Sequence, residues 1–410
     1  MNTWLLPDGI NESLPNDAER LEALRRHLVD LYSTWGYRLV MPPLVEYLES
    51  LRAGMGTQLD LQTFKITDQL NGRMMGIRAD MTPQVARIDA HRLSKGDTNA
   101  AVNRLCYIGT VLRTRSEEQG GSRSPVQVGA ELFGHAGIES DYEIIMLMLE
   151  TLHSIDVNNL VLDLGHVGIA SGLADHVALN DLQREIYFDM LARKSIPEIE
   201  IWIAEQSFSE PDAEMLRALP LLSGSIEVIN KGKDSLKNAG ATVLSALDHL
   251  KSICELLVTN HPQLKLHIDL AEMRGYAYHT GVMYTVYLPG RGRSIAQGGR
   301  YNGIGKAFGN PRPAVGFSTD LRTLAELSLE TISLVNSLGA NGILAPCNVD
   351  TNADKSLDTF ISELRAQGEQ VIRQLDQETT LKPEQQGCNR VIQKQDDNWI
   401  VVPASGQSIQ

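Results

Sequence analysis

The chain has 410 residues, 42% hydrophobic and 21% charged, enough for more than one domain and a sizeable core in the main one. A net charge of −14 and a pI near 5.2 argue against the broad basic surface that phosphate backbones require, leaving room only for a local patch. Cys106, Cys254, Cys347 and Cys388 lie far apart with no CxxC pair, the longest apolar run is Ile144 to Leu149, and the first residues lack a signal-peptide pattern, so a cytoplasmic protein with reduced thiols and no membrane span is expected.

Leu21, Leu24, Leu28, Leu31, Tyr32 and Trp35 recur at helical spacing, which predicts a helix from Asn16 to Gly36 capped by Asn16 or Asp17. Tyr37 to Met41 reads as a short strand stopped by Pro42 and Pro43. Phe64 to Arg78 reads as a hairpin turning at Asn71-Gly72, followed by Thr82 as N-cap and Pro83 in the first helical position. Asp80 then lies at a strand-to-helix junction, where a carboxylate serves either as helix-start capping group or as part of a site.

Leu105 to His135 reads as strand, polar glycine-containing loop, strand. In its second strand Val126, Val128, Ala130 and Leu132 share one face, and Gln127, Gly129, Glu131 and Phe133 the other. By the same parity Arg113 and Arg115 share a face of the first strand. Ser140-x-x-Glu143 reads as a capping box opening an apolar helix, and Asn159 to Leu164 as a buried strand. From about residue 166 to 262 leucine-rich helical segments predominate, predicting a helical insertion before alternation returns at Leu264 to Leu270. The segment MRGYAYHTG, from Met273, and the glycines around Gly298-Gly299 match no phosphate-loop pattern, and backbone approach to a small ligand accounts for them better. Val315 to Thr319 predicts a strand feeding a helix near Asp320. Residues 338–410 read as a short α/β module with strands at Gly342 to Pro346 and Trp399 to Val402, a helix from Asp354 to Gly368, and a loosely ordered stretch from Gln374 to Gln395. The ten histidines show no metal-ligand spacing, and no cofactor is implied.

Asp80, Gln127 and Glu131 offer two acids and an amide acceptor, which suit the three donors of an ammonium group, while Arg113 suits a carboxylate through paired bonds. Ammonium plus carboxylate describes an amino acid. The competing account is an ion-pair network that only holds the sheet together.

These residues sit in motifs that resemble class II aminoacyl-tRNA synthetases, and within them the histidyl-tRNA synthetases. GYRLVMPPLVE is similar to the first class motif, GIRADMTPQVAR to the family's LRPEGTA-type segment, LRTRSEEQGGSRSPVQVGAELFG to motif 2, MRGYAYHTG to the histidine-specific segment and AVGFSTDLRTL to motif 3. The resemblance covers about the first 330 residues and implies an α+β core: a mixed, mostly antiparallel sheet flanked by helices, dimerising through the motif 1 region. It also implies a histidine pocket. Asp80 falls on the ammonium-binding glutamate, and Thr82, Gln127, Glu131 and Arg113 match their counterparts. Arg274 and Tyr278 match residues of the histidine-specific segment, with Tyr276 beside them and His279 replacing the second tyrosine of its pair.

The activation machinery departs from that pattern. Arg115 stands where motif 2 has a glutamate that meets ATP, and Pro125 where it has the aromatic that stacks on adenine. Asp320, Arg322 and Thr323 replace the terminal glycine and Glu-Arg pair of motif 3. A retained pocket beside a dismantled ATP site, with a short C-terminal module, resembles the regulatory subunits of ATP phosphoribosyltransferase. That likeness implies a non-catalytic protein working with a short-form catalytic subunit in the first step of histidine biosynthesis, taking histidine as allosteric ligand and needing no tRNA. A working histidyl-tRNA synthetase is the alternative.

Overall fold

The structure is a computed structural model and describes residues 4–52, 57–94, 101–116, 121–273, 278–328, 341–347, 355–375, 382–396 and 398–404. The chain divides into two compact units, Met1–Ser328 and Leu329–Gln410.

The first unit opens with α1 (Pro15–Thr34), β1 (Arg38–Leu39), β2 (Val45–Tyr47), α2 (Leu48–Arg52), α3 (Thr57–Gln62), β3 (Phe64–Thr67), β4 (Met74–Ile77) and α4 (Thr82–Ile88). It continues through β5 (Asn103–Thr110), β6 (Val126–Phe133), α5 (Ile138–His153) and β7 (Val161–His166). A largely helical stretch follows: α6 (Val167–His176), α7 (Asp181–Ala192), α8 (Ile196–Ala204), α9 (Glu210–Ala218), β8 (Ser223–Gly224), α10 (Val228–Ser235) and α11 (Ala241–Asn260). The chain then returns to the sheet with β9 (Lys265–Asp269), β10 (Val282–Tyr287), β11 (Ser294–Arg300) and β12 (Ala314–Asp320), and closes with α12 (Leu321–Leu327).

Nine of these strands form one sheet in the order β1-β5-β6-β12-β11-β10-β7-β9-β8, antiparallel except for the β1–β5 and β7–β9 pairs. β6 lies between β5 and β12, and its alternation decides where the cores form. Val128, Ala130 and Leu132 face α1 and α5, joining Leu28, Tyr32, Ile144, Ile145 and Met148 in the larger core. The opposite face belongs to a second core of Met81, Val85, Tyr107, Phe133 and Tyr301, contributed in part by α4. Each fully buried aliphatic side chain contributes about 1.5–3 kcal/mol, so α5, with Ile144, Ile145, Leu147, Met148 and Leu152 all at 0% exposure, anchors one side of the sheet firmly. Gln127 and Glu131 therefore sit under α4, inside the second core rather than toward solvent.

Several local expectations yield to tertiary partners. α1 starts one residue early with Leu14 as N-cap and no side-chain cap, although Gly36 does end the unit with φ of 80°. α5 starts at Ile138 behind Gly137, so the capping box does not form. Ser140 Oγ instead donates to the carbonyls of His135 and Gly137, and Glu143 is drawn to Arg104 at 2.7 Å and to the Tyr37 hydroxyl at 2.9 Å. The first strand of the central hairpin ends at Thr110, so the shared strand face expected for Arg113 and Arg115 does not exist. Arg113 instead forms an isolated β-bridge with Thr63.

The second unit has a four-stranded sheet, β14-β13-β15-β16, made of β13 (Gly342–Ala345), β14 (Val371–Arg373), β15 (Cys388–Gln395) and β16 (Asn398–Pro403). Helix α13 (Lys355–Ala366) turns Leu357 and Ile361 onto Ile343, Ala345 and Ile392. The polar stretch expected to be loose contains β15, paired along its length with β16 and in parallel with β13. Its backbone ladder holds it, since Cys388 and Ile392 are its only fully buried side chains. Among the described residues no helix is long and apolar enough to cross a membrane.

Candidate functional site

The polar face of β6 meets the N-terminus of α4. Gln127 and Asp80 are locked together: Gln127 Nε2 donates to Asp80 Oδ1 at 2.7 Å, and the same oxygen accepts the Thr82 N–H at 2.9 Å. Gln127 Oε1 accepts the Met81 N–H at 2.9 Å. Met81, not Thr82, precedes the helix, and Asp80 takes the capping role expected of Thr82. That frees the Thr82 hydroxyl to turn inward to Glu131 Oε1 at 3.0 Å. Thr82 thus links the two acids, one through its backbone and one through its side chain.

Glu131 is 1% exposed. Its Oε1 lies 2.9 Å from the Tyr107 hydroxyl, which lies 3.0 Å from Thr82 Oγ1, and the Tyr301 hydroxyl donates to Oε2. The hydroxyls of Thr82 and Tyr107 converge on Oε1, bonds that favour the charged carboxylate. Burial works against them: desolvation pushes Glu131 up to about 8 despite the hydroxyls of Tyr301, Tyr107 and Thr82, with the Asp80 charge adding to the rise.

Glycines create the room for this cluster. A Cβ on Gly129 would come within 2.4 Å of the Tyr107 hydroxyl, and one on Gly316, opposite Glu131 in the ladder, within 1.5 Å of Glu131 Oε2. Gly298 gives way to the Tyr284 ring and Gly299 to His279. Gly298 and Gly299, where the sequence suggests backbone approach to a small ligand, make room here for the protein's own aromatic side chains.

Arg113 donates from Nε to the Ala79 carbonyl at 3.2 Å and lines a cleft of about 150 Å³. Pro125, Gln127, Arg293, Asp320 and Thr323 also line it, so the cleft abuts the acid cluster at Gln127. Its volume is below the roughly 300–1,000 Å³ of most ligand clefts. Asp320 is committed to the backbone: Oδ1 accepts the N–H groups of Val126 at 3.0 Å and Arg322 at 3.3 Å, and Oδ2 accepts the Thr323 hydroxyl. Burial raises its carboxyl above the ordinary range. The Arg322 guanidinium turns to Ser13 Oγ and the Asn11 carbonyl.

Tyr278 packs against the core that contains Tyr301, with its ring 4.1 Å from that of His279. Arg274 and Tyr276 lie outside the described residues. The structure therefore brings Asp80, Thr82, Gln127 and Glu131 into one bonded cluster, sets Arg113 at its cleft, and places Tyr278 beside its core. Tyr107 and Tyr301 were missed as members. Tyr107 lies opposite Gly129 in the β5–β6 register, a pairing that becomes readable only once the register is known.

The fold defines a class, that of the histidyl-tRNA synthetases, whose family profile, "Histidyl-tRNA synthetase", matches residues 9–324. Residues 340–402 match "ATP phosphoribosyltransferase subunit HisZ C-terminal domain". The ATP phosphoribosyltransferase regulatory subunit of Thioalkalivibrio sulfidiphilus is 49% identical over 401 residues, covering 98% of both chains. That of Pseudomonas syringae pv. syringae is 46% identical, again with 98% of each covered. The chain belongs to the family of ATP phosphoribosyltransferase regulatory subunits. Its fold is shared with a structure described as an ATP phosphoribosyltransferase regulatory subunit/histidyl-tRNA synthetase from Bacillus halodurans (TM-score 0.78, 24% identity, covering 93% of this chain and 95% of that one). It is likewise shared with histidyl-tRNA synthetase from Nostoc sp. PCC 7120 (TM-score 0.73, 18% identity, 98% of both).

Proposed function

We propose that this chain is the non-catalytic subunit of an ATP phosphoribosyltransferase complex in the cytoplasm, activating a short-form catalytic subunit and transmitting feedback inhibition by histidine. The observation that carries the reading is the contrast between two neighbouring sites. The acid cluster of Asp80, Thr82, Gln127 and Glu131 is intact and sits beside Arg113, whereas Asp320 fills the start of α12 with its own carboxylate and Arg322 is engaged elsewhere. Removing preorganised charge-stabilising groups from an activation site costs about 10²–10³ in rate per donor, so a chain without them is a poor synthetase. Asp80, Gln127 and Glu131 would hold the ammonium of histidine, Arg113 its carboxylate, and Arg274, Tyr276, Tyr278 and His279 would surround the ring.

Mixing the purified chain with the short catalytic subunit should give a larger species in sedimentation and raised turnover that histidine suppresses. Unchanged sedimentation and turnover would count against the partner, and robust histidine-dependent ATP–pyrophosphate exchange by the chain alone would restore the synthetase reading.

Homodimerisation through the motif 1 region is part of the proposal. Met41 is 79% exposed, and Leu44 and Leu39 beside it are also uncovered, an apolar strip that a second copy would bury. Met41→Asp should shift the chain toward monomer in sedimentation, and an unaltered dimer would place the interface elsewhere.

A further inference from the structure

Arg300, the last residue of β11, and Tyr301 just after it point to different parts of the unit. Tyr301 donates its hydroxyl to Glu131 in the pocket. Arg300 turns away and donates from Nε to Asp141 Oδ1 at 2.8 Å, with further bonds to the His135 and Gly137 carbonyls and Ser140 Oγ. Both members of the Arg300–Asp141 pair are buried, at 5% and 0% side-chain exposure. Such a pair is weak grounds for stability by itself, because desolvation offsets most of the attraction. Its position is the telling feature.

Asp141 Oδ2 accepts no well-aligned hydrogen bond, and His249 Nε2 lies 3.1 Å from it. His249 Nδ1 in turn lies 3.4 Å from His166 Nε2. The Gly168 N–H donates to His166 Nδ1 at 3.0 Å, which obliges neutral His166 to carry its proton on Nε2, facing His249. Burial keeps His166 neutral by depressing it to about 3. His249 then accepts on Nδ1, and its Nε2 edge lies against Asp141 Oδ2 as a close polar contact. Donors and acceptors run in one direction from the Gly168 amide through His166 to His249, whose far edge faces Asp141.

Sequence position gives this chain its meaning. His166 caps α6, the first helix after β7, and His249 lies on α11, the last helix before β9. Asp141 and Arg300 belong to α5 and the sheet. Both ends of the helical stretch are therefore tied to the core at one point, one residue from Tyr301. A second tie runs through the backbone: the Thr280 N–H donates to the Arg300 carbonyl at 2.7 Å and the Val167 N–H to the Gly281 carbonyl at 3.0 Å. The segment holding Tyr278 and His279 is thus fastened to the start of α6.

We propose that the chain Arg300–Asp141–His249–His166 couples occupancy of the amino-acid pocket to the helices from α6 to α11, with Arg300 and His249 as positioning residues that touch no ligand. The inference rests on the pocket binding histidine. Ligand entering at Glu131 alters the Tyr301 bond, and the neighbouring guanidinium passes the change to His249.

Hydrogen–deuterium exchange of the full chain, with and without histidine, tests it. Histidine should slow exchange in α4, α6 and α11 by about fivefold or more, the lower edge of a typical coupling. In His249→Ala the α4 protection should persist while that of α6 and α11 is lost, and His249→Gln, whose amide still reaches Asp141, should restore part of it. Should His249→Ala not fold, His166→Asn makes the same test, since asparagine can cap α6 but is too short to reach His249. If α4 responds in the wild type but α6 and α11 do not, or if they respond equally in the variants, the coupling is wrong and the pocket stands. If α4 does not respond and titration gives no heat, the pocket reading fails and the coupling with it.

Discussion

Glu131→Gln is expected to lower histidine affinity by about 30-fold or more, the 2 kcal/mol or greater typical of removing one partner from a buried charged contact. The amide keeps the shape and can still accept the hydroxyls of Thr82 and Tyr107, so packing loss is not the cause. The proton is. In the ligand-free protein Glu131 is pushed up to about 8 by burial, so near pH 7 it holds a proton that an arriving cationic group must displace. Binding at pH 7 should therefore release close to one proton. Titration calorimetry in buffers of different ionisation enthalpy reads that number directly, and Glu131→Gln should release none. Equal proton release by the two proteins would mean that Glu131 does not meet the ligand's charge. Stability has the matching sign. A folded value raised above the ordinary carboxylate value gives a contribution fully present below the unfolded value and lost as pH rises through about 8. The wild type should lose thermal stability over that window while Glu131→Gln stays flatter.

Asp141→Ala is expected to destabilise the first unit strongly. It leaves the Arg300 guanidinium buried, with the His135 and Gly137 carbonyls and Ser140 as partners but no counter-charge. Stranding one member of a buried pair costs about 3–5 kcal/mol, whereas replacing both by apolar residues is often close to neutral. For a unit of this size the loss corresponds to a fall of roughly 5–15 °C in the thermal transition. The double variant Asp141→Leu with Arg300→Met should recover much of it. If the double variant is as unstable as the single one, the network's hydrogen bonds, rather than the orphaned charge, govern stability.

Much of the polar cluster on β6 was legible because a strand has a period of two. Parity alone put Gln127 and Glu131 on one face of β6 with a glycine between, and the structure keeps that arrangement. The errors cluster where a polar side chain had a choice. Ser140, Glu143 and Thr82 all carry capping chemistry, yet each is claimed by a residue distant in sequence: Arg300, Arg104 and Glu131. Local patterns rank local partners and carry no information about those. Tyr107 and Tyr301 escaped for a related reason: Tyr107 finds Glu131 only once β5 is registered against β6, and Tyr301, which follows β11, only once β11 is registered against β12 and β12 against β6. β15 was misread because strand periodicity speaks through apolar side chains, and CNRVIQKQ is held chiefly by its backbone.

The bonds already made by Glu131 also bear on the concentration at which a sensor built this way would switch. Asp80 Oδ1, the Gln127 amide and both Glu131 oxygens are already bonded to the protein, so a histidine engaging them would exchange internal contacts for external ones. An exchange of that kind yields selectivity with moderate grip, because each bond gained is offset by one given up. A feedback device needs that balance: its set-point must lie within the range over which the end product rises and falls, and too tight a hold would leave it permanently engaged.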